Sequence, residues 1–333
     1  MHVRKVAPVP STVSILTYHH VAAHDTAYPY DPGVADASPA QFRRQMEMLA
    51  RYGTPIGIDE LARALEGAPL PKNPVMVTFD DGYRSCHDVA LPILRAVGMR
   101  AAFFVATGYI NERKLYWWER IALALSSARE AIAKLRYPRP IEIEARNPKS
   151  HSILTDLIKN TPNLDVHRFL DDLCAGLGVD WNPEVEAAHA DNLIMNWDHV
   201  RALSRAGMDV ESHTRWHRVL KTLTDAELRE ELAGSKAELE TQLGRPVRAV
   251  AYPVGRRIAH VSRLRDAVVA AGYKLGVTNA SGATRIWPTP LAGMIPTDRF
   301  DISRLSTDRS MSDAMYFAQI AVPRLAYIGR HDL

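Results

Sequence analysis

Short apolar runs alternate along this chain with segments that carry helical marking, and that alternation constrains the fold more than any other feature. Residues 13–18, 75–79, 100–106, 249–252 and 275–278 are apolar runs of the length that suits buried strands. Between them lie helical segments. Residues 39–52 open after Ser38, whose hydroxyl suits the free amides of a first helical turn. They place Phe42, Met46 and Leu49 on one face at i, i+4 and i+7. Residues 58–66, 88–97, 197–205, 225–243 and 259–271 read as further helices. Gly98, Gly207, Gly244 and Gly272 stand at their ends, and Thr224 precedes the longest. Strands joined by helices cannot pair as hairpins, so a parallel sheet is predicted, closed into a barrel.

Residues 110–195 break this rhythm. They hold helix-like segments and few strand candidates, and Pro138, Pro140 and Pro148 interrupt the middle. The stretch exceeds an ordinary connection between barrel elements, so a largely helical insertion at the rim is predicted.

Two strand-like runs deliver reactive side chains at their ends. Asp80 and Asp81 follow residues 75–79, and Gly82 then permits a sharp turn. Neighbouring residues at a strand end point apart, so one acid can hold a metal while the other takes a proton. The plainer use of such a pair is to start a turn or cap a helix. The run 208–212 leads into His213 and, four residues on, His217. Two imidazoles and one carboxylate oxygen leave a coordination position open, as catalytic zinc requires. The donor set suits Zn2+ and, by ligand type, Co2+, Ni2+ or Fe2+.

These segments resemble a family. Thr78-Phe79-Asp80-Asp81-Gly82-Tyr83 looks like the first motif of the NodB-type polysaccharide deacetylases, carbohydrate esterase family four. Ser212-His213-Thr214-Arg215-Trp216-His217, with Leu220 behind it, resembles the second, and Ala249-Val250-Ala251-Tyr252-Pro253-Val254-Gly255 the third. Ile15-Leu16-Thr17-Tyr18-His19-His20-Val21 resembles the opening strand of many bacterial members. The likeness covers residues 12–109 and 196–300. It implies an irregular seven-stranded (β/α) barrel, with residues 1–333 as one domain that carries the insertion. It also implies a metal-dependent hydrolase that removes an acyl group, N-acetyl foremost, from an amino sugar or glycan. In that scheme Asp81, His213 and His217 hold the metal, Asp80 is the general base and metal-bound water is the nucleophile. Tyr252, Pro253 and Val254 meet the substrate, and a backbone amide near Val254 completes an oxyanion hole.

The chain departs from the family pattern twice. Many members carry an arginine that orients the base where this chain has Ala251. The final motif normally supplies a histidine that protonates the leaving amine. Here the only histidine after residue 275 is His331, and residues 291–299 occupy the expected region without one. His19 is the expected substitute, as acid or as a polar wall of the pocket; the other use of His19 or His20 is as a hydrogen-bonded core residue. Trp117 and Trp118 could stack on a sugar ring, although tryptophans often fill cores. The insertion around them could be a lid or a recognition element, or only a packing or dimer contact.

Composition narrows the remaining classes. A chain of 333 residues with 24% charged and 47% apolar residues is ordinary for a globular protein. A net charge of +3 makes no electrostatic case for nucleic acid or a membrane surface as partner. Cys86 and Cys174 lie far apart, so no disulfide framework is expected, and Cys86 is expected to pack beneath the site. No apolar stretch is long enough for a transmembrane helix. Residues 1–10 have no apolar run behind their basic residues, so the cytoplasm is the expected location. The expected partner is a sugar or glycan, and nothing in the sequence supports an oligomer. Two other readings stay open: hydrolysis of a non-sugar amide or formamide C–N bond on the same barrel, and a catalytically weak sugar-binding pseudoenzyme.

Overall fold

Seven parallel strands close on themselves in the computed structural model, which describes residues 11–23, 28–255, 257–286 and 297–322. They are β1 (Ser11–Tyr18), β2 (Pro74–Phe79), β3 (Ala101–Val105), β4 (Asp209–Ser212), β5 (Ala249–Ala251), β6 (Leu275–Ser281) and β7 (Ile302–Ser306). Closure comes from β1, which pairs with β2 from Ser14 opposite Val75 to Tyr18 opposite Phe79. On its other side β1 meets β7, with Leu16 opposite Leu305. Both faces of these strands are covered, which is why β2 and β3 are buried at every residue. Ile15, Met76, Phe104, Ala251, Val277 and Ile302 pack together inside the barrel. Their alternates, among them Leu16, Val77, Phe103, Val105 and Val250, face the helices.

The strand–helix alternation is present as predicted, with local differences. The Pro39–Tyr52 helix forms where its pattern placed it, with the Ser38 side chain accepting from the Gln41 amide. The segment 225–243 is helical but holds a π turn, Glu230–Gly234, between Asp225–Arg229 and Ser235–Leu243. A second π turn, Cys86–Ala90, opens the helix predicted at 88–97. The helix predicted at 259–271 starts later, at Ser262. β7 was not among the expected strands, because a buried arginine, Arg304, sits in the middle of its short strand-like run.

The insertion is largely helical: Trp117–Ser126, Ser150–Asn160, Val166–Gly176 and Pro183–Leu193. It also contains an antiparallel hairpin, Ile132–Leu135 with Ile141–Glu144, that the sequence did not announce. Pro138 and Pro140 lie in the turn of that hairpin, where a missing amide donor costs nothing. The insertion is tied to the loop after β2, since the Arg84 amide donates to the Leu193 carbonyl at 2.7 Å and the Met195 amide to that of Gly82 at 3.0 Å. Barrel and insertion share one continuous apolar cluster, running from Leu16 and Phe79 to Phe169 and Leu173. Cys86 and Cys174 are buried free thiols. No helix among the described residues is long and apolar enough to cross a membrane.

Candidate active site

Parallel strands bring their carboxyl ends to one rim, and the side chains that follow them converge there. His19 follows β1, Asp80 and Asp81 follow β2, and His213 follows β4 with His217 four residues on. Tyr252 and Val254 follow β5. All of them line one cavity of about 310 Å³. Pro253 is buried between the last two and is not among the residues lining that cavity.

Asp81 Oδ1 lies 3.3 Å from His213 Nε2 and 3.5 Å from His217 Nε2. His213 Nδ1 is 2.9 Å from the Ala251 carbonyl. A carbonyl only accepts, so the proton of the neutral ring sits on Nδ1 and the Nε2 lone pair faces Asp81. Asp81 Oδ1 is buried without a hydrogen-bond partner among the described residues. A buried acceptor facing two imidazole nitrogens is satisfied by a cation. The three donor atoms lie within 4.8 Å of one another, and one carboxylate with two imidazoles fits a divalent ion such as zinc. Burial and the neighbouring His213 push His217 down to about 3, which keeps it in the neutral form a ligand needs. Burial would raise Asp81, but the imidazoles beside it hold it below the usual carboxylate range.

The backbone is bent to make this possible. Asp81 (φ 71°), Thr214 (φ 64°) and His217 (φ 50°) occupy the left-handed region without being glycine. Glu231 holds the β4 loop in that shape. It is buried and accepts the Arg215 amide at 3.0 Å and the Trp216 amide at 2.8 Å. It sits in the π turn of its helix, a distortion frequent at functional sites.

Asp80 is gripped from inside the barrel. Its Oδ1 accepts from Arg304 Nη1 at 2.7 Å and its Oδ2 from Nη2 at 2.6 Å. Both residues are fully buried. Arg304 also donates to the Thr278 carbonyl at 3.0 Å, Thr78 Oγ1 at 3.2 Å and Asn279 Oδ1 at 2.5 Å, so its fork is well satisfied. Burial would raise Asp80, yet Arg304 first and His213 second hold it far below the carboxylate range. Ala251, at the position where many family members carry arginine, is a buried alanine inside the barrel. The guanidinium arrives from β7 instead.

His19 and His20 separate by environment. His20 is buried, with Nδ1 2.7 Å from Ser85 Oγ. His19 faces the cavity, with Nδ1 3.1 Å from Asp36 Oδ2, and Asp36 also accepts the His19 amide. Burial alone would lower the His19 imidazole, but Asp36 raises it to about 10. The region expected to carry a final-motif histidine lies mostly outside the described residues. Val254, on the cavity wall, has φ 62°. Sequence reasoning missed Arg304, Asp36 and Glu231. Only Arg304 left a signal, an arginine inside an otherwise strand-like Ile302-Ser303-Arg304-Leu305.

A second grouping, His87, Asp88 and His199, lies nearer the surface. His199 Nδ1 accepts the Asn196 amide, which puts its proton on Nε2, and Asp88 is paired with Arg84 at 2.8 Å. Asp88 and the Nδ1 atoms of both imidazoles are thus already engaged, His87 Nδ1 lying 2.7 Å from Asp88 Oδ1.

The sequence pattern of the polysaccharide deacetylase family matches residues 67–174 and 183–276. A putative polysaccharide deacetylase, YxkH of Bacillus subtilis (strain 168), is 30% identical over 86 residues, which are 26% of this chain and 30% of that protein. The matched stretch therefore spans less than a third of that relative. Among solved structures, the Streptococcus pyogenes deacetylase PplD in complex with acetate aligns over 93% of this chain and 99% of that one, with TM-score 0.61 and 19% identity. IcaB from Ammonifex degensii aligns over 95% and 98%, with TM-score 0.56 and 18% identity. The putative polysaccharide deacetylase BA0330 from Bacillus anthracis aligns over 93% and 69%, with TM-score 0.58 and 16% identity. At these identities the structural likeness speaks to the fold, the seven-stranded barrel already described.

Proposed function

Since the chain belongs to the polysaccharide deacetylase family, whose pattern spans more than half of it, we propose that it is a metal-dependent deacetylase that removes an acyl group, N-acetyl foremost, from an amino sugar or glycan. The observation that carries the reading is the orphan oxygen of Asp81 between two imidazole nitrogens, with the Asp80 carboxylate beside it. Asp81, His213 and His217 would hold a divalent cation, which when bound polarises the acyl carbonyl and acidifies water enough for a weakly basic carboxylate to take its proton.

The chain's own residues supply the rest. Asp80 is the base. Its Oδ2 lies 4.0 Å from His213 Nε2, so that oxygen is the one nearest the ligand cluster. Arg304 fixes the plane of the carboxylate and keeps it ionised, and each oxygen retains a lone pair after the bidentate contact. His19, oriented and charged by Asp36, gives its proton to the departing amine nitrogen. The backbone at Val254, turned into the left-handed region at the rim, offers its amide to the developing oxyanion. Tyr252 and the indoles of Trp117 and Trp118 wall the sugar side of the cavity. The case for a weak sugar-binding pseudoenzyme rested partly on the missing arginine at 251, and Arg304 removes that support.

Asp80→Asn is expected to keep its cation and lose about 10²–10⁴-fold in acetate release from N-acetylglucosamine oligomers, the scale of a lost general base. Wild-type turnover in that variant would remove Asp80 as base. Loss of the cation would instead move Asp80 into the ligand set.

A further inference from the structure

The Ser150–Asn160 helix of the insertion turns one face to the cavity, with His151, Thr155 and Lys159 at i, i+4 and i+8 and Ser152 beside them. The charges around that cavity are otherwise matched. Asp80 is held by Arg304, and Asp81 faces the two imidazoles. His19 pairs with Asp36. Asp31 accepts the Gly33 amide at 2.8 Å and lies 3.6 Å from His151 Nε2, which also meets the Trp118 carbonyl at 3.3 Å. Lys159 is different: half-buried on the same wall, it has no hydrogen bond and no ion pair among the described residues. A ligand that carries an anion into the cavity supplies the counter-charge that this ammonium lacks among the described residues, in a charge-assisted hydrogen bond.

We propose that the insertion helix selects the substrate and that Lys159 receives an anionic group, a carboxylate or phosphate, carried by the acylated sugar or its immediate neighbour. The assignment rests on the deacetylase reading for what enters the cavity. Thr155 is not the recognising group, because its hydroxyl donates to the Ser152 carbonyl at 3.0 Å, and His151 is occupied by Asp31 and Trp118. The lysine is therefore the specificity-determining residue of this helix, and the anion it prefers distinguishes a uronate-bearing glycan from a sugar phosphate or nucleotide sugar.

The test uses the whole chain loaded with zinc and three probes: an N-acetylated oligosaccharide containing uronic acid, a uridine diphosphate N-acetylhexosamine, and a neutral N-acetylglucosamine tetramer. Binding is read from tryptophan fluorescence, since Trp117 and Trp118 line the cavity, and turnover from released acetate. The wild type is expected to favour one anionic probe, and Lys159→Gln to reduce the anionic-to-neutral ratio of kcat/KM about tenfold through KM, the size of one charge-assisted hydrogen bond. Lys159→Arg restores the preference and added salt weakens it. A wild type indifferent to charge, or a Lys159→Gln ratio equal to wild type, overturns the proposal while leaving the deacetylase reading intact. Absence of turnover on every probe, with Lys159-dependent binding of an anionic one, overturns the deacetylase reading and leaves the recognition standing.

Discussion

At the scale of single residues, the centre depends on pairs that only work together. Arg304 and Asp80 are both buried, so neither tolerates loss of the other. Removing one member of a buried ion pair costs about 3–5 kcal/mol, because the remaining charge has no water to turn to. Arg304→Met is therefore expected to unfold at lower urea and to lose turnover, while Arg304→Lys, which offers a point charge in place of a planar fork, recovers part of both. Equal urea midpoints for wild type and Arg304→Met would sink this account. The pair also marks a limit of legibility. Asp80, Asp81 and His213 could be picked out in sequence because they follow strand-like runs, and His217 because it stands four residues after His213. Arg304 is 224 positions from the carboxylate it holds, and no local pattern joins them. Asp36, which pairs with His19, is likewise an unmarked acid, in the short Ala35–Ala37 strand that runs beside His20 and Val21.

At the scale of elements, the insertion and the barrel meet through a buried carboxyl group. Glu119, from the Trp117–Ser126 helix, accepts from the Tyr83 hydroxyl at 2.5 Å and from the Asp31 amide at 2.7 Å. Tyr83 in turn accepts from Trp118 Nε1 at 2.7 Å. This network ties the loop after β2, the loop carrying Asp31 and the tryptophans of the cavity wall. Burial raises Glu119 to about 8 against those hydrogen bonds. The folded chain then holds this proton between the ordinary glutamate range and pH 8, where the unfolded chain has released it. Stability from Glu119 accordingly falls as pH rises through that window. Relative to Glu119→Gln, the wild type should lose Tm steadily from pH 5 to pH 8; a constant Tm difference across that range would show that Glu119 is not protonated in the fold. The elements themselves were mostly legible. The hairpin was not, because its short strands are paired only with each other and its prolines resemble helix breakers until the turn between them is seen.

At the scale of the whole molecule, the three proposed ligands, on two loops of a closed barrel, are brought together only by folding. A cation that binds the folded chain alone stabilises it by about 2.7 kcal/mol at one hundred times its dissociation constant. Chelation is therefore expected to lower Tm by several degrees and zinc to restore it, whereas His217→Ala should be insensitive to either. Chelator-independent melting of the wild type would count against the three-ligand site. What the sequence alone determined is what short-range chemistry can determine: alternating strands and helices, hence a parallel barrel, and the acids and imidazoles that end two of its strands. Tertiary structure decided the rest. It closed β7 onto β1, which carried Arg304 beneath Asp80, and set the tautomer of His213 through the Ala251 carbonyl. It also laid the insertion helix, with a lysine that has no partner among the described residues, along the cavity wall. Each of these is a contact between residues far apart in the chain, and the free energy of such a contact has no local signature in either partner's neighbourhood.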